Sequence, residues 1–127
     1  MRIALDALRY VDLCKGNAET VRLVATAESV FLPFVVVAEL RACFVLGNRA
    51  TENERLLRRF LLKPGVSILH PDEQTTHHFA SARRQLRVQR TPIPTNDLWI
   101  AALVLQHNLR LHARDRHFDH FPQIVRV

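Results

Sequence analysis

Four acidic side chains occupy positions in this sequence where a carboxylate could do chemistry. Asp97 stands near the start of PTNDLWIAALVLQHN, residues 94–108, and the eight residues after it are all apolar. Glu39 lies inside PFVVVAELRACFVLG, which would be apolar on nearly every side of a helix, and Asp6 and Asp115 each follow a short predicted strand. Because ligands collect at the carboxyl ends of strands in open parallel sheets, the four acids could converge at one edge.

Each acid also has an explanation that needs no ligand. Asp6 could be a loop carboxylate, Asp97 could complement a helix dipole, and Asp115 could pair with a neighbouring arginine. Glu39 is harder to explain in this way, because an ionised carboxylate among apolar side chains is costly to desolvate. Arg41 lies two positions further on, on the wrong helix face to pair with it. A bound cation would compensate the charge.

Converging carboxylates fit the coordination chemistry of Mg²⁺ or Mn²⁺, which take oxygen ligands and complete their shells with water and phosphate oxygens. Without a cation the acids would repel one another and raise some of their own pKa values. With a cation, such a site suits phosphodiester hydrolysis, since the metal lowers the pKa of a bound water and stabilises charge during in-line displacement.

Hydrophobic patterning predicts strands separated by helices. The predicted strands are Arg2–Leu5, Ser29–Leu32, Val66–Leu69 and Leu111–Ala113, with Ile124–Val127 as an added edge strand. The predicted helices are Leu8–Cys14, Ala18–Ala27, Pro33–Leu46, Thr51 to the Pro64-Gly65 stop, a helix capped by Asp72 that runs to about Val88, and the Asp97 helix capped by Thr95. This order indicates an α/β fold with a mostly parallel sheet.

Length and composition set broad limits on the class of protein. The 127 residues suit one domain, residues 1–127, and 48% are hydrophobic against 24% charged, which is the balance of a globular protein. No apolar run is long enough to span a bilayer, and MRIALDALRY lacks the unbroken apolar core of a secretory signal. We therefore expect a cytoplasmic protein with no membrane partner, in which Cys14 and Cys43 are buried free thiols.

The charge balance favours an anionic partner. The net charge is +6, carried by sixteen arginines and only two lysines. Four arginines near the end of the helix capped by Asp72 could contact RNA phosphates, although a solvated helix face explains them equally well. They are Arg83, Arg84, Arg87 and Arg90. His112, His117 and His120 surround Asp115, but their spacing matches no zinc-binding helix pair and the acids favour a harder metal.

The same residues resemble the PIN domain family, and within it the VapC-type toxins of bacterial toxin–antitoxin pairs. The resemblance runs nearly end to end through a first strand that closes in LD, the glutamate of VVAELRA, the aspartate of PTNDLWIAA and the aspartate of HARDRHF. It implies a three-layer α/β/α sandwich around a central parallel sheet. It also implies that an acidic quartet binds Mg²⁺ or Mn²⁺ in an endoribonuclease: Asp6, Glu39, Asp97 and Asp115.

The resemblance further implies partners and a substrate class. Members of the family form homodimers and cleave structured RNA such as tRNA or rRNA, which arrests translation. A small VapB-type antitoxin wraps the toxin, and operator DNA is contacted through the antitoxin.

The chain departs from the family pattern at three positions. Ala7 and Leu8 follow Asp6 where a small hydroxyl residue and an asparagine are usual, and Ala113 stands where a hydroxyl residue is common. Polar groups of this kind orient ligands, and their loss typically weakens activity or metal affinity ~10 to 100-fold. We therefore expect reduced activity, and the alternative is a catalytically weakened PIN domain that only binds RNA or an antitoxin.

A receiver-like signalling module is a second alternative, since it also carries acids at strand ends. Such a module needs an acidic pair after the first strand and a lysine after the last. Asp6 has no acidic neighbour, and no lysine follows Lys63. The sequence therefore favours the nuclease.

Overall fold

The computed structural model describes all 127 residues, Met1 to Val127, and is built around a four-stranded parallel sheet. The strands are β1 (Arg2–Leu5), β2 (Ser29–Pro33), β3 (Val66–Leu69) and β4 (Arg110–His112). The α-helices are α1 (Ala7–Cys14), α2 (Ala18–Thr26), α3 (Phe34–Leu46), α4 (Ala50–Leu61), α5 (Glu73–Gln89) and α6 (Thr95–Gln106), and a 3₁₀ helix covers Arg116–His120.

The strand order β3-β2-β1-β4 explains where a ligand can bind. Right-handed crossovers carry the chain from β1 to β2 to β3 with helices on one face, so the return to β4 places α5 and α6 on the other face. The result is the three-layer α/β/α arrangement that the sequence predicts. The direction of travel reverses between β1 and β4, and this is the point where open α/β sheets bind ligands.

The core lies between the sheet and the helix layers. The inner strands are fully buried, with Ile3, Ala4 and Leu5 of β1 at 0% exposure. In α6, five consecutive residues from Ile100 to Val104 are buried, which is why this helix reads as apolar on all sides. Helix α6 is therefore fixed in the molecule, and so is the first turn that carries Asp97.

The predicted final edge strand and the predicted burial of the cysteines both differ from the structure. Residues 124–127 form no strand and contribute one isolated parallel bridge, Arg126 to Leu111, because the chain meets β4 only at its last residues. Cys14 and Cys43 are free, as expected, but both are exposed, since each lies on the outer side of its helix. None of the helices combines the length and the apolar character that crossing a membrane requires.

Helix α6 also begins differently from the prediction. Pro94 is the N-cap, with extended backbone angles of φ −57° and ψ 146°, and no side chain caps the helix. Thr95 is already the first helical residue, so its hydroxyl is in the wrong place to accept from the amides ahead of it. The prediction that Thr95 caps the helix is therefore wrong. Asp97 is the third helical residue, where a carboxylate is favoured by the helix dipole.

Candidate active site

Asp6 is held rigidly at the carboxyl end of β1. It is 6% exposed and caps α1, with its Oδ1 accepting the backbone N–H of Arg9 at 2.8 Å. Its Oδ2 accepts the backbone N–H of Arg114 at 3.1 Å, just beyond the end of β4. Burial raises the pKa of Asp6, although these two amides and the charge of Arg9 act in the opposite direction. The first turn of α1 and the segment after β4 therefore fix this carboxylate, which burial still makes costly to ionise.

Asp97 and Asp115 meet across the end of the sheet. Asp115 follows β4 and caps the 3₁₀ helix, with its Oδ1 accepting the backbone N–H of His117 at 2.9 Å. The pKa of Asp97 is raised, first by burial and then by the charge of Asp115, while His117 acts to lower it. The two carboxylates are therefore close enough to repel each other.

His117 lies between these two carboxylates. Its Nδ1 is 2.7 Å from Oδ2 of Asp97 and 2.8 Å from Oδ1 of Asp115. The contact with Asp97 has hydrogen-bond geometry, and Nδ1 is its donor when that carboxylate is ionised, because an ionised carboxylate only accepts. One ligand atom from each of the three residues lies within 4.8 Å of the other two, a spacing that could hold a metal ion.

Glu39 approaches the same group from α3. Burial raises its pKa most, and the charges of Asp97 and Asp6 raise it further, while the side chain of Asn96 acts to lower it. Glu39 is half-buried, beside the buried Leu40. The four carboxylates thus come from separate segments of the chain toward one end of the sheet, and Asp97 and Asp115 are the two that lie close enough, together with His117, to share one ion.

An ion-pair group formed by Asp12, Arg9 and Arg114 helps to position Asp6. Asp12, in α1, is 4% exposed and accepts from the guanidinium groups of Arg9, at 3.2 Å, and Arg114, whose Nε is 2.9 Å away. Burial alone would raise the pKa of Asp12, but Arg114 and then Arg9 lower it overall. The two residues whose amides hold Asp6 are therefore the same two whose side chains are held by Asp12.

Sequence reasoning missed two parts of this site. Arg114 pairs with Asp12 and not with Asp115, because its side chain, two residues after the end of β4, is directed toward α1. From the sequence, His117 is considered only as a zinc ligand, although an aspartate that caps a turn and a histidine two residues later form a recognisable local signal. The Asp12–Arg114 pair spans 102 positions and leaves no such signal.

The four arginines singled out in the sequence do not share one surface. All four are exposed on or just after α5. Arg83, Arg87 and Arg90 line a groove with apolar residues of α5, the following connector and α6. Arg84 lines a separate, shallower surface with Ser81 and Gln85.

Comparison with known proteins agrees with this architecture. The family model described as "PIN domain" matches residues 3–124. The curated protein "Ribonuclease VapC1" of Haemophilus influenzae (strain R2866) is 31% identical over 119 residues, covering 84% of this chain and 86% of that protein.

Solved structures agree over nearly the whole chain. VapBC-1 from nontypeable Haemophilus influenzae has a TM-score of 0.83 and 25% identity, covering 100% of this chain and 97% of that chain. FitAcB from Neisseria gonorrhoeae has a TM-score of 0.80 and 26% identity, covering 98% of this chain and 96% of that chain. The match of the family model over almost the entire chain, together with the curated relative, shows that this chain belongs to the PIN domain family, in its branch of VapC-type ribonucleases.

Proposed function

We propose that this chain is a metal-dependent endoribonuclease toxin that acts in the cytoplasm on structured RNA, tRNA or rRNA, and so inhibits translation. Residues 1–127 act as one catalytic domain. The observation that carries the proposal is the approach of four carboxylates from separate segments, three of them with a raised pKa. They lie where the order of strand connections reverses, between β1 and β4.

The donor set fits a hard divalent cation, Mg²⁺ or Mn²⁺. Carboxylate oxygens are the ligands that such ions prefer, and the cost of keeping these acids ionised together falls when a cation lies among them. The residues that would hold it are Asp6, Glu39, Asp97 and Asp115. When bound, the cation would supply a water of lowered pKa and stabilise charge on the reacting phosphate.

The protein's own groups position the acids. Two backbone amides fix Asp6, and the 3₁₀ turn fixes Asp115. His117 forms a hydrogen bond with Asp97 and its Nδ1 lies 2.8 Å from Asp115, so it reduces the repulsion between the two carboxylates. A cation that takes those oxygens must displace the His117 contact or share the carboxylates with it.

The partners proposed are a VapB-type antitoxin, a second copy of this chain in a homodimer, and operator DNA contacted only through the antitoxin. Support comes from similar folds solved as assemblies. VapBC-1 from nontypeable Haemophilus influenzae is one, and VapBC2 from Rickettsia felis was solved "bound to a DNA fragment from their promoter".

The second candidate is a weakened PIN domain that binds RNA or the antitoxin without cutting. It is favoured by one observation: the carboxylate of Asp6 accepts only from backbone amides, and Ala7, Leu8 and Ala113 offer it no polar side chain. Asp12 and its two arginines supply another means of fixing Asp6, and we therefore prefer the active nuclease.

Cleavage of total cellular RNA tests the proposal. The unmodified chain is incubated with Mn²⁺ or with EDTA beside Asp97→Asn, and Asp119→Asn serves as a control that removes one exposed carboxylate outside the site. We expect discrete fragments from the unmodified chain and the control with Mn²⁺, and from no other sample. Folded protein that binds RNA or antitoxin but never cuts would support the weakened domain instead.

A further inference from the structure

A basic groove with an apolar floor lies beside the carboxylate cluster. It has a volume of about 490 Å³ and is formed by the end of α5, the connector that follows it and the first turn of α6. Its apolar lining comprises Leu86, Pro92, Ile93 and Leu98. Its rim carries three arginines: Arg83, Arg87 and Arg90.

The rim arginines have no anionic partner within the protein. They are spaced at i, i+4 and i+7, so they follow one face of the helix and its end. None of the three takes part in a salt bridge or donates a side-chain hydrogen bond, whereas Arg41, Arg58 and Arg126 all do. Their charges are therefore available to an external anion.

Arg90 stands in a backbone conformation that arginine does not favour. It terminates α5 with φ 60° and ψ 41°, the left-handed region in which glycine is usual at a helix end. The local backbone gives no reason for a side chain at this position. A function for the guanidinium group would explain why an arginine occupies this position.

The groove lies next to the carboxylate cluster along α6. Leu98 lines the groove, and the residue before it in the first turns of the helix is Asp97, which does not line the groove itself. Neighbouring helical residues lie about 1.5 Å apart along the axis. An RNA strand that passes the start of α6 can therefore contact both the carboxylates and the groove.

We propose that this groove binds the RNA strand next to the phosphate that is cleaved. The arginines contact backbone phosphates, and the apolar floor takes a base. This inference rests on the proposed nuclease function and adds to it a binding site for the flanking nucleotides. An acidic peptide would match the charge, but it has no phosphodiester bond for the proposed metal site to hydrolyse.

The test measures binding of a fluorescein-labelled single-stranded 12-nucleotide RNA by fluorescence anisotropy, in EDTA so that metal-dependent cleavage cannot consume the probe. Arg83→Gln with Arg87→Gln is compared with Arg22→Gln with Arg59→Gln. Both pairs remove two exposed charges from helices, and only the first pair lines the groove.

We expect the groove pair to bind RNA at least about tenfold more weakly, while the control pair changes little. Each phosphate contact to single-stranded RNA contributes about 0.7 to the slope of log affinity against log salt, so the groove pair should lower that slope by about 1.4. Arg90→Gly suits the left-handed backbone, so it should fold at least as well as the unmodified chain and still bind more weakly.

Several results would overturn the inference. Equal losses from the two pairs would mean that the arginines act only through total charge. Unchanged RNA affinity combined with lost antitoxin binding would assign the groove to the antitoxin. If the unmodified chain cleaves RNA and the groove variants cleave and bind as it does, only this inference fails. If it neither binds nor cleaves RNA, the proposed function fails as well.

Discussion

At the residue scale, the ionised form of Asp97 lowers the free energy of unfolding. Its pKa is raised by burial and by Asp115, so the ionised form disfavours the folded state when no metal is bound. Because the folded state binds the Asp97 proton more tightly, protonated Asp97 contributes to the free energy of unfolding. This contribution is fully present below the ordinary pKa of an aspartate and is lost as the pH rises through the raised pKa. An isosteric neutral residue removes the cost.

We therefore expect Asp97→Asn to be at least as stable as the unmodified chain at pH 7 in EDTA, by thermal unfolding. The unmodified chain should gain about 2.7 kcal/mol at a Mn²⁺ concentration one hundred times its Kd, and the variant should gain far less. A variant that is clearly less stable in EDTA would mean that Asp97 is a structural residue.

Asp12 is predicted to position Asp6 through Arg9 and Arg114. Asp12→Asn weakens both ion pairs, and we expect a loss of about 1.5–3 kcal/mol, the usual worth of hydrogen bonds to charged groups. Metal affinity should fall ~10 to 100-fold, as is typical when the support of a ligand is lost. Denaturant unfolding and Mn²⁺ titration measure the two effects, with Asp119→Asn as the control. Unchanged metal affinity would show that Asp12 only stabilises the fold.

The same residue gives a pH dependence of stability. The arginines lower the pKa of Asp12 below its unfolded value, so its contribution is fully present above the unfolded pKa, about 3.9. It is lost as the pH falls through the lowered folded value. Below about pH 4, the stabilities of the unmodified chain and Asp12→Asn should therefore converge in denaturant titrations. A difference that stays constant down to pH 2 would contradict this sign.

At the scale of the elements, α5 and α6 are joined by a polar contact far from the carboxylates. Asp72 caps α5 in a reciprocal capping box with Thr75, and the side chain of Gln106, the last residue of α6, bonds to both. Thr75 is completely buried. The contact therefore fixes one end of the helix pair whose other end forms the basic groove.

Thr75→Val should destabilise the protein by about 1–3 kcal/mol, because the backbone N–H of Asp72 and the side-chain Oε1 of Gln106 lose their hydrogen-bond partner. Metal affinity should not change. Thr76→Val, at an exposed neighbouring position, should change stability by less than about 0.5 kcal/mol. Equal effects of the two substitutions on denaturant unfolding would contradict the buried capping box.

The elements were predictable because their patterns are local. β3 was predicted at its observed bounds, and Asp72 was identified as a cap from a single residue type. The start of α6 was misplaced, since Pro94 and Thr95 both suit a helix start and sequence does not decide which of them is the cap. The bond of Thr75 to Gln106 joins residues 31 positions apart and could not be read from local spacing.

At the scale of the whole molecule, the parallel sheet brings the four acids together. The approach of Asp6 and Asp115 was predictable from strand ends, because the carboxyl ends of parallel strands share one edge, whereas Glu39 and Asp97 lie on helices. The details that make the site specific to this chain were not predictable from the sequence. The positions of His117 and Arg114 depend on the turn after β4, and the separation of Arg84 from the other arginines depends on how α5 packs on α6.

Direct binding of Mn²⁺ tests the central claim, that the four acids form one divalent-cation site. Electron paramagnetic resonance measures free Mn²⁺ during titration of the unmodified chain, Asp97→Asn and Asp119→Asn at pH 7. We expect saturable binding by the unmodified chain and by Asp119→Asn, and binding at least about 100-fold weaker for Asp97→Asn. Equal Mn²⁺ affinity in all three proteins, or no saturable binding in any of them, would contradict it.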